Sequence, residues 1–220
     1  MNRAVPVRPK DQVMFHCRRC ANCCRNLEDL LMLEPLDTYH LVRFLQEQDG
    51  AATIDTVYER YAHTDLLEGY LPIYLMNTVG PDSSCAFLQD GRCSVYDGRP
   101  NVCRIYPFGV RPGQSGRPFE YYRYEDQHAA HFPGGQVLVE DWLRDNFSGE
   151  SRAFWTAEGN FLPILGGLLR RLGGDGIRVN LFYILHYRYY NYALDQPFMP
   201  QYTRNMAALK QILQRELGEV

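Results

Sequence analysis

Four cysteines crowd into Cys17-Arg-Arg-Cys20-Ala-Asn-Cys23-Cys24, and three more follow at Cys85, Cys93 and Cys103. Seven thiols cannot all pair within one chain, and disulfides are rare in a reducing compartment. Crowding of this kind favours several thiolates on one centre over crosslinks between distant segments. Buried inert thiols would need no such spacing. A redox pair could use a CxxC unit, but a metal site uses all seven. No cysteine follows Cys103, so the metal chemistry belongs to the first half of the chain.

The spacing leaves the metal open. Structural zinc takes two separated ligand pairs, whereas the repeated two-residue gap of Cys17, Cys20 and Cys23 is that of a ferredoxin run, in which a distant cysteine completes a site. Cys23 and Cys24 are adjacent, so they cannot readily serve one site with the same geometry. One of them could face a second centre or bridge two metals. Seven thiolates suit a four-ligand cluster beside a three-ligand cluster, and they could equally hold two zinc ions with a bridging sulfur or an added histidine. His16, next to Cys17, is the nearest such histidine. Arg18, Arg19, Arg25, Arg92, Arg99 and Arg104 flank the cysteines, and guanidinium groups would offset the negative charge of a thiolate centre. Arginine makes up all the basic residues except Lys10 and Lys210, so part of this pattern is general usage.

The second cysteine group has its own pattern: Cys85-Ala-Phe-Leu, then Gly91-Arg-Cys93-Ser-Val-Tyr96, then Arg99-Pro-Asn-Val-Cys103-Arg-Ile-Tyr106-Pro107-Phe. Together with the first run, it resembles the CxxCxxCC or YkgJ-type cysteine-cluster family of zinc- or iron-chelating proteins. The resemblance covers residues 17 to 108, and all seven cysteines fall on its motif positions. It implies a bound metal, often an iron–sulfur cluster, with the seven cysteines on the motif positions as ligands; Arg18, Arg19, Arg99, Arg104 and Tyr106, which flank them, are the candidate contacts of the cofactor. A [4Fe–4S] cluster is the expected cofactor and zinc the alternative. Some larger relatives are associated with lysine N-methylation of flagellin, but this chain resembles them only in the cysteine region and shows no methyl-donor motif after it. The CxxxCxxC motif of common radical adenosylmethionine enzymes is absent from the run.

The elements that must position these residues follow from local pattern. Pro35-Leu-Asp37 opens a helix through Gln48, with Asp37 read as its N-cap. Thr53 caps a second helix that places Ile54, Val57, Tyr58 and Tyr61 on one face. The pair forms an insert that returns Cys85 to the first run. Residues 71–79 read as a strand or buried loop. Ala86–Leu88 and Ser94–Tyr96 flank Gln89-Asp-Gly-Arg92 as a hairpin holding Cys85 and Cys93 at matched ends. Pro100 starts a short helix presenting Cys103, and Tyr106-Pro107 ends it. The turn-rich stretch 111–118 is the expected boundary. Beyond it come a helix over 162–172 stopped by Gly173-Gly174, a buried helix over 180–194 that is apolar or aromatic nearly all round, and an amphipathic helix over 203–217 with Met206, Leu209, Leu213 and Leu217 inward. The dense tyrosines, at 119–124 and 187–192, read as packing, since tyrosine has an apolar body and a polar tip. His128 and His131 would share a helix face as candidate ligands, although Pro133-Gly134-Gly135 favours a loop there. Glu140, Asp141 and Asp145 read as a solvated face.

The 220 residues, 45% hydrophobic and 22% charged, are enough for a core of their own. A net charge of −3 offers no footprint for nucleic acid, and no apolar run is long enough for a membrane helix. The N-terminal residues show no secretory signal, so the expected location is cytoplasmic. The expected fold is α+β and mainly helical. A small irregular metal-stabilised module with a short β-hairpin occupies residues 1–118, and a helical part, residues 119–220, packs on it. The expected function is metal-cluster binding with a redox or cluster-dependent enzymatic role, acting on or with a protein partner. The alternatives are a structural zinc module for protein interaction and a lysine methylase-like modifying enzyme.

Overall fold

In chain order the computed structural model contains β1 (Arg3–Val7), β2 (Gln12–Met14), α1 (Pro35–Asp49), α2 (Ile54–Tyr61), β3 (Ala62–Leu67), β4 (Leu71–Met76), β5 (Thr78–Val79), β6 (Ser84–Cys85), β7 (Leu88–Gln89), β8 (Arg92–Cys93) and α3 (Asn101–Ile105). Then come β9 (Phe108–Pro112), β10 (Phe119–Glu125), β11 (Gln136–Leu138), α4 (Val139–Asn146), α5 (Gly149–Leu185), a π-helical turn (His186–Tyr190) and α6 (Phe198–Glu216). It describes residues 3–112, 119–125 and 134–219; most of the expected boundary, and both His128 and His131, lie outside them. The architecture is α+β and mainly helical, with small sheets.

β10 lies between β1 and β9 in an antiparallel sheet, and β2 pairs with β11. These pairings tie the segments on either side of residues 113–118 into the same sheet. β3 and β4 form a hairpin. All six residues of β4 are buried, because alternate side chains of a strand point to opposite faces and both faces of β4 are covered. Leu71, Ile73 and Leu75 pack with Leu165, Leu169 and Leu213. Tyr74 and Met76 enter a second core with Leu36, Tyr58, Tyr189 and Tyr202. A third core joins Val13, Phe108, Phe119, Leu143 and Phe147.

Several sequence expectations change in physical detail. Glu34, not Asp37, occupies the N-cap position of α1, without a side-chain cap bond, and Asp37 sits inside the first turn as a buried hydrogen-bond acceptor. Thr53 does cap α2, in a reciprocal box with Thr56. Helix α5 starts well before residue 162, because the Ser148 side chain accepts a bond from the Ser151 amide, and it runs through Pro163. Gly173 (φ 69°, ψ 177°) breaks it into two helical segments rather than ending it. The stretch 180–194 is not buried all round. Asn180, Ile184, Arg188 and Tyr189 face inward at helical spacing, while Leu181, Phe182 and Tyr183 are exposed. Met206, Leu209 and Leu213 are buried as expected, and Leu217, just past the end of α6, packs partly against the core. Glu140, Asp141 and Asp145 pair at the surface with Lys10 and Arg144.

Candidate metal centre

The first cysteine run lies on an exposed loop whose curvature comes from Arg19, Ala21, Asn26 and Asp29, all with φ between 54° and 60°. Such values are uncommon outside glycine, and here they wind the loop tightly without a strand partner. Asn22–Cys24 forms one 3₁₀ turn. Successive side chains in that geometry point about 120° apart, three to a turn. Cys23 is exposed, and the half-buried Cys24 packs on the core that contains Cys85, with the two thiols still within hydrogen-bonding reach of each other.

Backbone bonds then dock the loop. The Asn26 amide donates to Asp82 O at 2.7 Å and the Leu27 amide to Ser83 O at 3.0 Å. Arg25 pairs with the Asp82 carboxylate. These contacts set Cys24 beside the segment that enters β6, where Cys85 is buried and its thiol lies 3.3 Å from Met76 Sδ.

Cys93 is held by the β7–β8 hairpin, whose Asp90-Gly91 turn has positive φ at both residues, as a type I′ turn requires. This hairpin is shorter than the sequence expectation. Cys93 stands opposite Leu88, and Cys85 belongs to a separate ladder opposite Thr78, so the two are not at matched ends of one hairpin.

Helix α3 carries Cys103, and its placement depends on a buried polar chain. Asp37 Oδ1 accepts from the Asn101 amide at 2.8 Å and from Asn101 Nδ2 at 2.7 Å. Ser151 Oγ donates to Asn101 Oδ1 at 2.6 Å. All three residues are buried, so the chain fixes α1, α3 and α5 together beneath Cys103. Sequence reading missed it because an acid in the first turn of a helix ordinarily serves the helix itself.

Cys24, Cys85, Cys93 and Cys103 lie near enough for their charges to act on one another. Burial pushes the Cys85 thiol up to about 11, with the Cys24 and Cys93 charges adding to the effect. Burial also raises Cys93 and places Cys103 well above the ordinary thiol range. Cys24 is raised first by a hydrogen bond with Cys23 and then by burial. A bound cation reverses this balance, because a coordinating thiol is deprotonated outright. Cys17, Cys20 and Cys23 are exposed. This donor set fits a thiolate-held metal group. Among the described residues no three His, Cys, Asp or Glu side chains form a group that could hold a single ion.

The arginines organise the loops. Tyr96 lies between two guanidinium groups, Arg19 at 4.3 Å and Arg99 at 3.8 Å from its ring centroid, a cation–π arrangement that joins the first cysteine run to the segment after Cys93. Arg99 also donates to Tyr96 O at 2.6 Å. Arg104 Nε donates to Arg99 O at 2.9 Å, and its Nη2 to Asp97 O. Arg18 and His16 are exposed. Tyr106 is half-buried, edge-on to Phe15 at 6.2 Å. Tyr96 was absent from the sequence-derived candidates; its place three residues after Cys93 was the available signal.

The model of one protein family, described as "CxxCxxCC: Putative zinc- or iron-chelating domain", matches residues 16–128. No curated protein matches the chain, and no solved structure does.

Proposed function

Because the chain belongs to the CxxCxxCC family of zinc- or iron-chelating domains, we propose that it is an iron–sulfur protein with a redox or cluster-dependent role. Cys17, Cys20, Cys23, Cys24, Cys85, Cys93 and Cys103 are the proposed ligands. The observation that carries this reading is the approach of Cys24, Cys85, Cys93 and Cys103 to one another from four separately positioned segments, with three further thiols in the exposed loop that ends at Cys24. One closed structural zinc site uses four ligands and leaves that surplus without a task. A cluster, when bound, supplies electron transfer or an iron with an open position. Arg18, Arg19, Arg99, Arg104 and Tyr106 would surround it, with the arginines balancing its negative charge.

Among the described residues no helix is long and apolar enough to cross a membrane. A reducing, cytoplasmic location would keep the seven thiols available, and a protein is the proposed partner or substrate. The test is reduction by dithionite of protein purified without oxygen. The expected result is reversible bleaching of a visible absorption band. A protein with no visible band, before or after dithionite, would end the redox reading.

A further inference from the structure

We propose that the exposed face of α5 beyond Gly173 is where two copies of this chain pair, antiparallel and about a two-fold axis, with Asp175 of each copy beside His186 of the other. After the break at Gly173, α5 buries only a narrow stripe, Ile177, Asn180 and Ile184. Its opposite side is apolar and open. Val179 is 74% exposed, Phe182 70% and Tyr183 43%. Large apolar side chains exposed together, within one turn of each other, mark a surface that meets another molecule. His186 extends the patch, because its ring stacks on Phe182 with centroids 5.6 Å apart and planes 10° apart.

The spacing of this face points to a second copy as its occupant. Asp175, Val179, Phe182 and His186 stand four, three and four residues apart, which places them on one line along a helix. That spacing reads the same in both directions. Laid antiparallel against itself, the line sets Val179 of one copy against Phe182 of the other, and Asp175 against His186. Each contact then occurs twice, as a two-fold interface requires. Apolar meets apolar, and each carboxylate meets an imidazole whose N–H can donate to it. Within one chain Asp175 contacts Arg178 at 3.7 Å, with the two side chains 98% and 82% exposed, so that pair contributes little. The charges argue against a lipid surface. Residues 174–186 carry one acidic and one basic side chain, Asp175 and Arg178, with the acid on the apolar line itself. A helix that lies on anionic lipid is instead rich in Lys and Arg on its polar face. A line this short buries on the order of 500 Å² per copy, against ~800 Å² in a standard interface. The pairing is therefore weak and concentration-dependent.

Sedimentation velocity of the full chain, from micromolar to millimolar protein, tests the pairing. A thiol reductant is present so that the exposed cysteines cannot crosslink copies, and circular dichroism checks that each variant is folded. Wild type is expected to pass from monomer to dimer across the range. Phe182→Ser should weaken the dimer by about tenfold or more. His186→Asp should weaken it as well, because it sets one carboxylate against another. Adding Asp175→His to His186→Asp exchanges the two partners and should restore association to near the wild-type level. A wild type that stays monomeric throughout would overturn the proposal. So would a dimer that survives Phe182→Ser, or one that the exchanged pair fails to regain. Binding of a monomeric wild type to phosphatidylserine vesicles, lost in Phe182→Ser, would assign the face to a membrane surface instead.

Discussion

Replacing Arg188 with alanine is expected to destabilise the protein by about 3–5 kcal/mol, the usual consequence of removing one partner from a buried charge group. Arg188 is 1% exposed. Its Nη2 lies 2.8 Å from Glu158 Oε1 and 3.3 Å from Glu34 Oε2. Glu34 immediately precedes α1, Glu158 lies on α5, and Arg188 lies in the π-helical turn that follows α5. One guanidinium thus holds the start of α1 to two places along the C-terminal helices. Without it two buried carboxyl groups are left without their counter-charge.

The same cluster makes stability depend on pH. Burial, followed by the neighbouring Glu158 charge, raises Glu34 to about 8, against the opposing pull of Arg188. A carboxyl whose folded pKa is raised binds its proton more tightly in the folded state. Its contribution is complete below the ordinary glutamate range, near ~4.3, and is lost as pH rises through about 8. Urea denaturation of wild type should therefore show stability falling over that window. Glu34→Gln, which cannot ionise, should flatten the slope. An Arg188→Ala loss below about 1 kcal/mol would mean that the core tolerates two unpaired carboxyls, contrary to the cost assigned to them here.

The second large effect is at Asp37. Asp37→Ala removes the acceptor for two bonds from buried Asn101. Bonds to a charged acceptor are worth about 1.5–3 kcal/mol each, and the donors left behind lose their solvation as well. Burial raises the Asp37 carboxyl and opposes the Asn101 bonds, so the net loss should be about 3 kcal/mol. Because Asn101 opens the helix that bears Cys103, metal content should fall as well. Phe154→Ala provides the control. Phe154 is fully buried against Phe198 and Tyr202, and a loss of about 3–5 kcal/mol is usual for such a truncation. It should leave metal content unchanged at temperatures where it is folded. Equal metal loss in both variants would show that Asp37 acts on the fold alone.

Local chemistry was legible where one residue type has one use. Thr53 caps α2, and Asp90-Gly91 turns the hairpin. The apolar run in β4 was visible, but its meaning required two cores, one on each face of the strand. The positions of Pro163 and Gly173 suggested the limits of a short helix. Tertiary packing carried α5 through the first, and the second became a break between segments. The aromatic run from 180 gives no polar face from which to read an orientation, so Leu181, Phe182 and Tyr183 could not be recognised as exposed. Seven cysteines were plain in the sequence. The packing of Cys24 on the core and the Tyr96 sandwich were not, because both depend on loops brought together by distant segments.

The most direct test of the central claim is the iron, zinc and acid-labile sulfide content of the full chain purified without oxygen, read beside its visible spectrum. The iron–sulfur assignment predicts iron and sulfide together, with a broad visible absorption. Colourless protein carrying stoichiometric zinc and no sulfide would contradict it and would leave a closed, structural thiolate site.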